Sequence, residues 1–182
     1  MLTEQSRTSR AGPVVEATRL DELVEHSAEL IPPVLRRCLQ IDADVSLREL
    51  GTVCVARTTV QQVFQNLVIN AAEAVRATGR ERGVLRVESG IEPGPAGASL
   101  HLRFTDDGVG IVAEHLGRVF EKGFSTKSRD TNSGIGLHWS ANVVNALGGS
   151  IRAESAGAGC GACMHLVLPL HRPQAVELTK AA

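Results

Sequence analysis

Three short segments of this chain hold residue types suited to a hydrogen-bonding amine, an anion and a hard cation. In Thr105-Asp-Asp-Gly-Val-Gly-Ile111 a carboxylate follows an apolar run directly, with glycines two and four residues on. Gly108 and Gly110 remove side chains from a turn, so that a ligand can meet bare backbone. Asp106 can accept a hydrogen bond from an exocyclic amine such as that of adenine. Taken alone, this pattern also describes an ordinary tight turn. Ser133-Gly-Ile-Gly-Leu137 stands just before a helical pattern. Backbone N–H groups at a helix start, with glycine allowing close approach, make an anion site. No G-K-[ST] follows, so the segment is not a Walker loop. The third segment is a polar stripe of Gln62, Asn66, Asn70 and Glu73 at helical spacing. Asn70 offers an oxygen ligand to Mg²⁺, which takes few protein ligands and keeps substrate phosphates beside it. Asn66, one turn earlier, is placed to hold a water or orient a phosphate. Glu73 reads either as an acid behind the metal's ligand or as a solvated side chain.

Asparagine is a mediocre helix former, so the stripe needs a strong helix beneath it. The spacing predicts one from an N-cap at Thr58 or Thr59 to about Ala77, with Val60, Phe64, Leu67, Ala71 and Ala74 facing a core. Upstream, Val14 to Thr18 reads as a strand and Arg19 to Ile31 as a helix, ended by Pro32-Pro33. Val34 to Val45 reads mostly as strand, as does Gly51 to Ala56. Downstream, strands at Val84–Ser89 and Ser99–Thr105 flank a turn-rich loop, G-I-E-P-G-P-A-G-A. A short helix is expected at Ala113 to Phe120, then an aperiodic stretch of Gly, Ser, Thr, Lys and Asp. A helix from Ile135 to Leu147 ends at Gly148-Gly149, and strands at Ser150–Glu154 and Ala162–Leu168 close the domain. Adjacent strands with short connections pair antiparallel. The expected fold is therefore α+β: a two-layer sandwich with a mixed, mostly antiparallel sheet and helices on one face.

The chain has 182 residues, which predicts one domain, placed at 13–172 between flexible tails at 1–12 and 173–182. Nineteen basic residues against twenty acidic ones give a net charge of −1, with no surplus for coating a polyanion. Four Phe, one Trp and no Tyr leave no base-stacking platform, so no nucleic-acid partner is expected. No apolar run is long enough to span a membrane. The first dozen residues are polar, without the apolar stretch of a signal peptide, so a cytoplasmic domain is expected. Cys38 and Cys54 read as small buried hydrophobes. Cys160 and Cys163 form a lone C-x-x-C with no second pair to complete a zinc site, and they enter a strand rather than the helix start expected of a redox pair.

In order along the chain stand N-L-V-I-N-A-A-E-A, D-D-G-V-G-I, V-F-E-K-G-F-S-T-K, G-I-G-L and G-C-G-A-C-M-H-L-V-L-P. Together they resemble the ATP-binding catalytic domain of sensor histidine kinases, in the GHKL superfamily that also contains gyrase. The blocks look like its N box (Asn66, Asn70), G1 box (Asp106, Gly108, Gly110), F box (Phe120, Phe124) and G2 box (Gly134, Gly136). The resemblance implies a Bergerat fold in which ATP lies between the N-box helix and a mobile lid at residues 121–136. Asp106 would read the adenine amine and Asn70 would bind Mg²⁺. Backbone at Gly134, Ile135, Gly136, Leu137 and His138 would hold phosphates, and Lys127 would reach the terminal one. Phe120 and Phe124 would anchor the lid. Glu73, Ala74, Ile111, Ser125, Thr126, Ser133 and Ala162 complete the implied nucleotide contacts.

There are departures from the family pattern. Ala162 stands where many members carry Thr, and Glu73 where many carry a basic residue. Asn66 replaces the Glu that serves as general base in the gyrase branch, which favours phosphoryl transfer over hydrolysis. None of the six histidines (His26, His101, His115, His138, His165, His171) has the acid and later proline of a phosphoacceptor. The implied activity is transfer of the ATP γ-phosphate to a His on a separate dimerisation hairpin, then to an Asp of a response-regulator receiver domain. A GHKL Ser/Thr kinase, a gyrase-like ATPase and a non-catalytic nucleotide-binding module are the alternatives.

Overall fold

The computed structural model describes residues 14–94, 97–126 and 134–170. The expected tails and residues 127–133 of the expected lid, Lys127 and Ser133 among them, lie outside the described residues. The chain opens with β1 (Glu16–Arg19), α1 (Leu20–Glu29) and α2 (Pro33–Arg36), then β2 (Leu39–Ala43), α3 (Val45–Glu49) and β3 (Thr52–Val55). The long helix α4 (Arg57–Ala77) leads into the strands β4 (Gly83–Gly94) and β5 (Gly97–Asp106). After them come α5 (Ala113–Leu116), α6 (Gly136–Ala146), β6 (Ser150–Glu154) and β7 (Ala162–Pro169).

Five strands form one sheet in the order β2-β4-β5-β7-β6, parallel only between β2 and β4. β1 and β3 make a separate antiparallel ribbon. Alternation along the strands assigns the two faces of the sheet. Leu85, Val87, Leu100, Leu102, Phe104, Met164, Leu166 and Leu168 are buried against the helices, while Arg86, Glu88, Arg103 and His165 stand on the opposite face. The mixed two-layer sandwich expected from the sequence is the observed fold.

Helix α4 is the spine of the helical layer. Val60, Val63, Phe64, Leu67, Val68, Ala71, Ala72 and Val75 are buried, a broader stripe than the expected one, and Ala74 is only half-buried. The Phe64 ring meets Phe104 of β5 edge-on, with centroids 5.1 Å apart, which ties the helix to the sheet's centre. Burying one such aromatic side chain contributes about 1.5–3 kcal/mol.

Several boundaries differ from expectation, each for a local reason. Val34 to Arg36 is helical rather than extended, because Pro33 occupies a first-turn position that its fixed φ suits. The following strand stops at Ala43, since the Asp44 side chain accepts from the Ser46 N–H at 2.9 Å and caps α3. Helix α4 starts at Arg57 after Ala56, so Thr58 and Thr59 lie inside its first turn and do not cap it. The expected loop at Gly90–Ala98 is mostly paired strand: Ile91 faces Leu100 and Pro93 faces Ala98. Helix α5 ends at Leu116, four residues short of Phe120. Cys38 and Cys54 are half-buried, not core residues, and all four cysteines are free thiols. Among the described residues no helix is long and apolar enough to cross a membrane.

Candidate functional site

The end of β5 delivers Asp106 into the sandwich, where it is 9% exposed. Its register partner on β7 is Ala162, also buried. Asp106 Oδ1 accepts from the Gly108 N–H at 2.9 Å, closing the turn on itself. A Cβ on Gly108 would lie 2.6 Å from the Ala74 Cβ and 2.8 Å from Asp106 Oδ1, so glycine is required by close approach. The Val109 N–H donates to the Ala74 carbonyl at 3.2 Å, fastening the turn to α4.

Asp107, the neighbouring carboxylate, points the other way and braces the loop. Its Oδ1 accepts from the Val84 N–H at 2.9 Å, and its Oδ2 pairs with the Arg80 guanidinium at 2.9 Å. Burial by itself would raise this carboxyl, but the hydrogen bonds from Arg80 and Val84 outweigh it and hold it below the ordinary carboxylate value. Behind the loop, the Ser155 hydroxyl accepts from the Ile111 N–H at 3.0 Å and donates to the Gly161 carbonyl at 2.6 Å. Neither Asp107 nor Ser155 was singled out from sequence. The doubled aspartate was the available signal for the first; a serine opening a glycine-rich turn is too common to mark the second.

At the far end of the polar edge of α4, the Asn66 amide reaches Ser140 Oγ at 3.3 Å and the Gly136 carbonyl at 3.5 Å. Asn66 thus joins α4 to the first turn of α6 and is a bridge as well as a polar lining. Asn70 and Glu73 are half-buried on the same edge, between Asn66 and Ala74. Eight residues at 1.5 Å each place Asn66 and Ala74 roughly 12 Å apart along the helix. A ligand lying there meets the Asp106 turn at one end and the start of α6 at the other. No described side chain caps the start of α6, where Ile135 is the N-cap. Its first N–H groups are of the kind that take an anion. The site therefore fits a nucleotide: a carboxylate and a glycine cradle at one end, uncapped amides at the other, and two carboxamides between.

The described margins of the expected lid are held by specific contacts. Gly123 N–H donates to the Gly134 carbonyl at 3.1 Å, closing the base of the loop. Gly134 sits at φ +64°, and a Cβ there would lie 2.6 Å from the Phe124 carbonyl oxygen. Phe120 packs on the edge of the core, whereas Phe124 stacks edge-on with His115 (5.3 Å) and lies under Arg118 (4.7 Å). His138 Nδ1 donates to the Phe120 carbonyl at 2.9 Å, and its Nε2 accepts from Asn142 at 2.9 Å. That pair of bonds ties α6 to the segment preceding the lid. Leu137 is half-buried, Ile135 exposed, Ser125 half-buried and Thr126 exposed. Among the described residues no cluster of three His, Cys, Asp or Glu side chains is arranged to hold a metal ion.

Fold and site together define a two-layer ATPase domain, and comparison with known proteins agrees. A family model described as histidine kinase-, DNA gyrase B-, and HSP90-like ATPase matches residues 56–172, and the chain belongs to that family. Within it, the chain is a histidine kinase-type, GHKL ATP-binding domain, as its similarity to sensor kinases shows. It is 30% identical over 179 residues to sensor histidine kinase ZraS of Escherichia coli (strain K12), covering 86% of this chain and 36% of ZraS. It is 32% identical over 188 residues to ZraS of Klebsiella oxytoca, covering 89% of this chain and 38% of that protein. The chain thus spans less than two fifths of the length of these curated relatives. Among solved structures it resembles the mycobacterial sensor histidine kinase MprB, with TM-score 0.66, 25% identity, 87% of this chain and 99% of the other. The catalytic domain of histidine kinase ThkA shares the fold, with TM-score 0.65 at 24% identity over 86% of this chain and 95% of the other.

Proposed function

We propose that this chain is the catalytic ATP-binding domain of a two-component sensor histidine kinase. In this reading it binds ATP with Mg²⁺ and presents the γ-phosphate to a histidine on a separate dimerisation hairpin. A response-regulator receiver aspartate then takes the phosphoryl group. The carrying observation is the polar edge of α4, fastened to the Asp106 turn at Ala74 and to the start of α6 at Asn66.

Asp106 accepts the adenine amine, with Ala74, Gly108, Gly110, Ile111 and Ala162 around it. Asn70 supplies the metal's protein oxygen, and Glu73 lies one turn beyond it. The amides from Gly134 to His138 hold phosphate oxygens, and Phe120, Phe124, Ser125, Thr126, Lys127 and Ser133 belong to the lid. Held by Asn70, a Mg²⁺ would supply charge neutralisation to the phosphates. Catalysis is positioning and electrostatics, with little covalent work for the protein. Asn66 cannot take a proton from water as a carboxylate can, which favours transfer over hydrolysis.

That no histidine of the sequence carries the acid and later proline of a phosphoacceptor supports a separate acceptor. His26 faces Glu29 (3.5 Å) on α1, and His101 and His165 lie on strands beside Glu92 (3.4 Å) and Glu154 (2.8 Å). The test is incubation with γ-labelled ATP and Mg²⁺, with and without a cognate hairpin. The chain should leave itself unlabelled and put acid-labile phosphate on the hairpin. Acid-labile label on this chain alone, lost in one His→Ala variant, would overturn the reading.

A further inference from the structure

Neither cysteine of the C-x-x-C is among the proposed nucleotide contacts, yet the two line one cleft. Cys160 is exposed, Cys163 is half-buried, and both line an open cleft of about 370 Å³ together with Thr105, Glu154, Ser155 and Gly161. The cleft lies at the end of the sheet face that carries no helices. Cys163 Sγ accepts from the Thr105 hydroxyl at 3.3 Å. Arg103, two residues along β5, is the diagonal neighbour of Cys163 across the β5–β7 pair; its interaction with Cys163, then the charge of Glu88, holds it above its ordinary value. Because the cleft is open, a small hydroperoxide can reach the Cys163 sulfur. Cys160 is a second thiol three residues away.

We infer that Cys160 and Cys163 form a peroxide-reactive dithiol whose oxidation to a disulfide weakens nucleotide binding. The coupling half of this inference rests on the nucleotide reading above. Cys163 sulfur attacks one oxygen of a hydroperoxide: the S–O bond forms, the O–O bond breaks, and the departing oxygen leaves as water or alcohol with the thiol proton. Cys160 sulfur then attacks the sulfenic sulfur. The S–S bond forms, the S–OH bond breaks, and hydroxide leaves as water with the proton of Cys160. Two thiols are oxidised by two electrons and one peroxide is reduced.

The chain between the sulfurs is built for closure and wired to the site. A fully extended three-residue span of roughly 10 Å exceeds the ~7 Å limit for bridged Cα atoms. Gly161, at φ +69°, bends the chain between them. In the reduced protein Cys160 Sγ donates to the Ala158 carbonyl at 3.7 Å, a contact that bridging to Cys163 must break. The turn that would move also grips the Asp106–Ile111 loop. Gly159 N–H donates to the Val109 carbonyl at 2.6 Å and Gly161 N–H to the Gly108 carbonyl at 3.1 Å, while Ser155 holds both Ile111 N–H and the Gly161 carbonyl. Displacing Gly161 therefore displaces the backbone that aims Asp106.

The test treats the full chain with equimolar hydrogen peroxide, counts thiols after denaturation, and weighs the peptide carrying both cysteines. ADP affinity is measured by calorimetry on reduced, oxidised and re-reduced protein. Of the four thiols in the chain, two should disappear, and the peptide should lose two hydrogens. ADP affinity should fall by about tenfold and return on reduction, a usual size for coupling between sites. Cys160→Ser and Cys163→Ser, tested separately so that misfolding of one does not remove the test, should bind ADP normally and keep that affinity after peroxide, with Cys160→Ser gaining one oxygen at Cys163 and forming no disulfide. Four surviving thiols, or a peptide that gains oxygen instead, would overturn the dithiol. A disulfide that leaves ADP affinity unchanged would overturn the coupling. Failure of the reduced chain to bind ADP would count against the nucleotide reading, and with it the coupling, while the thiol count still decides the dithiol.

Discussion

Asp106 and Asp107 are adjacent carboxylates with opposite duties, and separate measurements distinguish them. Asp106 is buried and aimed into the sandwich, so ATP and ADP should bind while GTP, presenting a carbonyl to it, binds far worse. Leaving a buried polar contact unpaired costs about 1–3 kcal/mol. Asp106→Asn should weaken ADP at least about tenfold by the same argument. Equal calorimetric affinities for ATP and GTP would defeat the role given to Asp106. Asp107 instead braces the loop through Arg80 and Val84. Its folded carboxyl lies below the ordinary 3.8. The stabilisation is therefore complete above that value and disappears as pH falls through the lowered folded value. Both partners are more than two fifths exposed, so the pair contributes about 1 kcal/mol at most. Asp107→Asn should lower the urea midpoint at pH 7, and the difference from the parent should shrink towards pH 3. A difference that grows on acidification would show the sign is wrong.

At the scale of the element, α4 has two functions on two faces. Its apolar face is the centre of the core, and Phe64→Ala removes the ring packed on Phe104. That change should cost about 3–5 kcal/mol in denaturant unfolding. A loss below 1 kcal/mol would mean the sheet and helix do not meet there. The polar edge carries the proposed chemistry at little structural cost. Asn70→Ala should abolish phosphoryl transfer to a hairpin while leaving ADP binding without Mg²⁺ nearly intact. Transfer at the parent rate would reduce Asn70 to a surface residue.

Over the whole molecule, the proposed nucleotide site lies where three distant segments converge: residues 66–74, 106–111 and 134–138. Nucleotide spanning them should slow unfolding of all three together, by linkage to the folded state. Amide exchange at Gly123 and Gly136, at the margins of the proposed lid, should slow when ATP and Mg²⁺ are added to the protein. Protection confined to the Asp106 loop would mean that the start of α6 does not hold the phosphates.

Much of this was legible beforehand because it is local. Period 3.6 in residues 57–77, alternation in β5 and β7, and glycines spaced around Asp106 are each decided within a few residues, where backbone sterics and side-chain periodicity dominate. The five ordered blocks then named the family. Boundaries failed where a nearby residue competed with pattern: Pro33 turning an apolar run into a helix, Asp44 stopping a strand, and strand pairing extending to Gly94 on one side and from Gly97 on the other. What the sequence could not contain was the set of long-range bonds. Asn66 meeting Ser140, Asp107 bracing on Arg80 and Val84, and the Ser155–Gly161 turn clasping Gly108 all join residues from different elements. Only packing of the sheet against α4 and α6 brings those donors and acceptors within 3.5 Å, and that decision belongs to the tertiary structure.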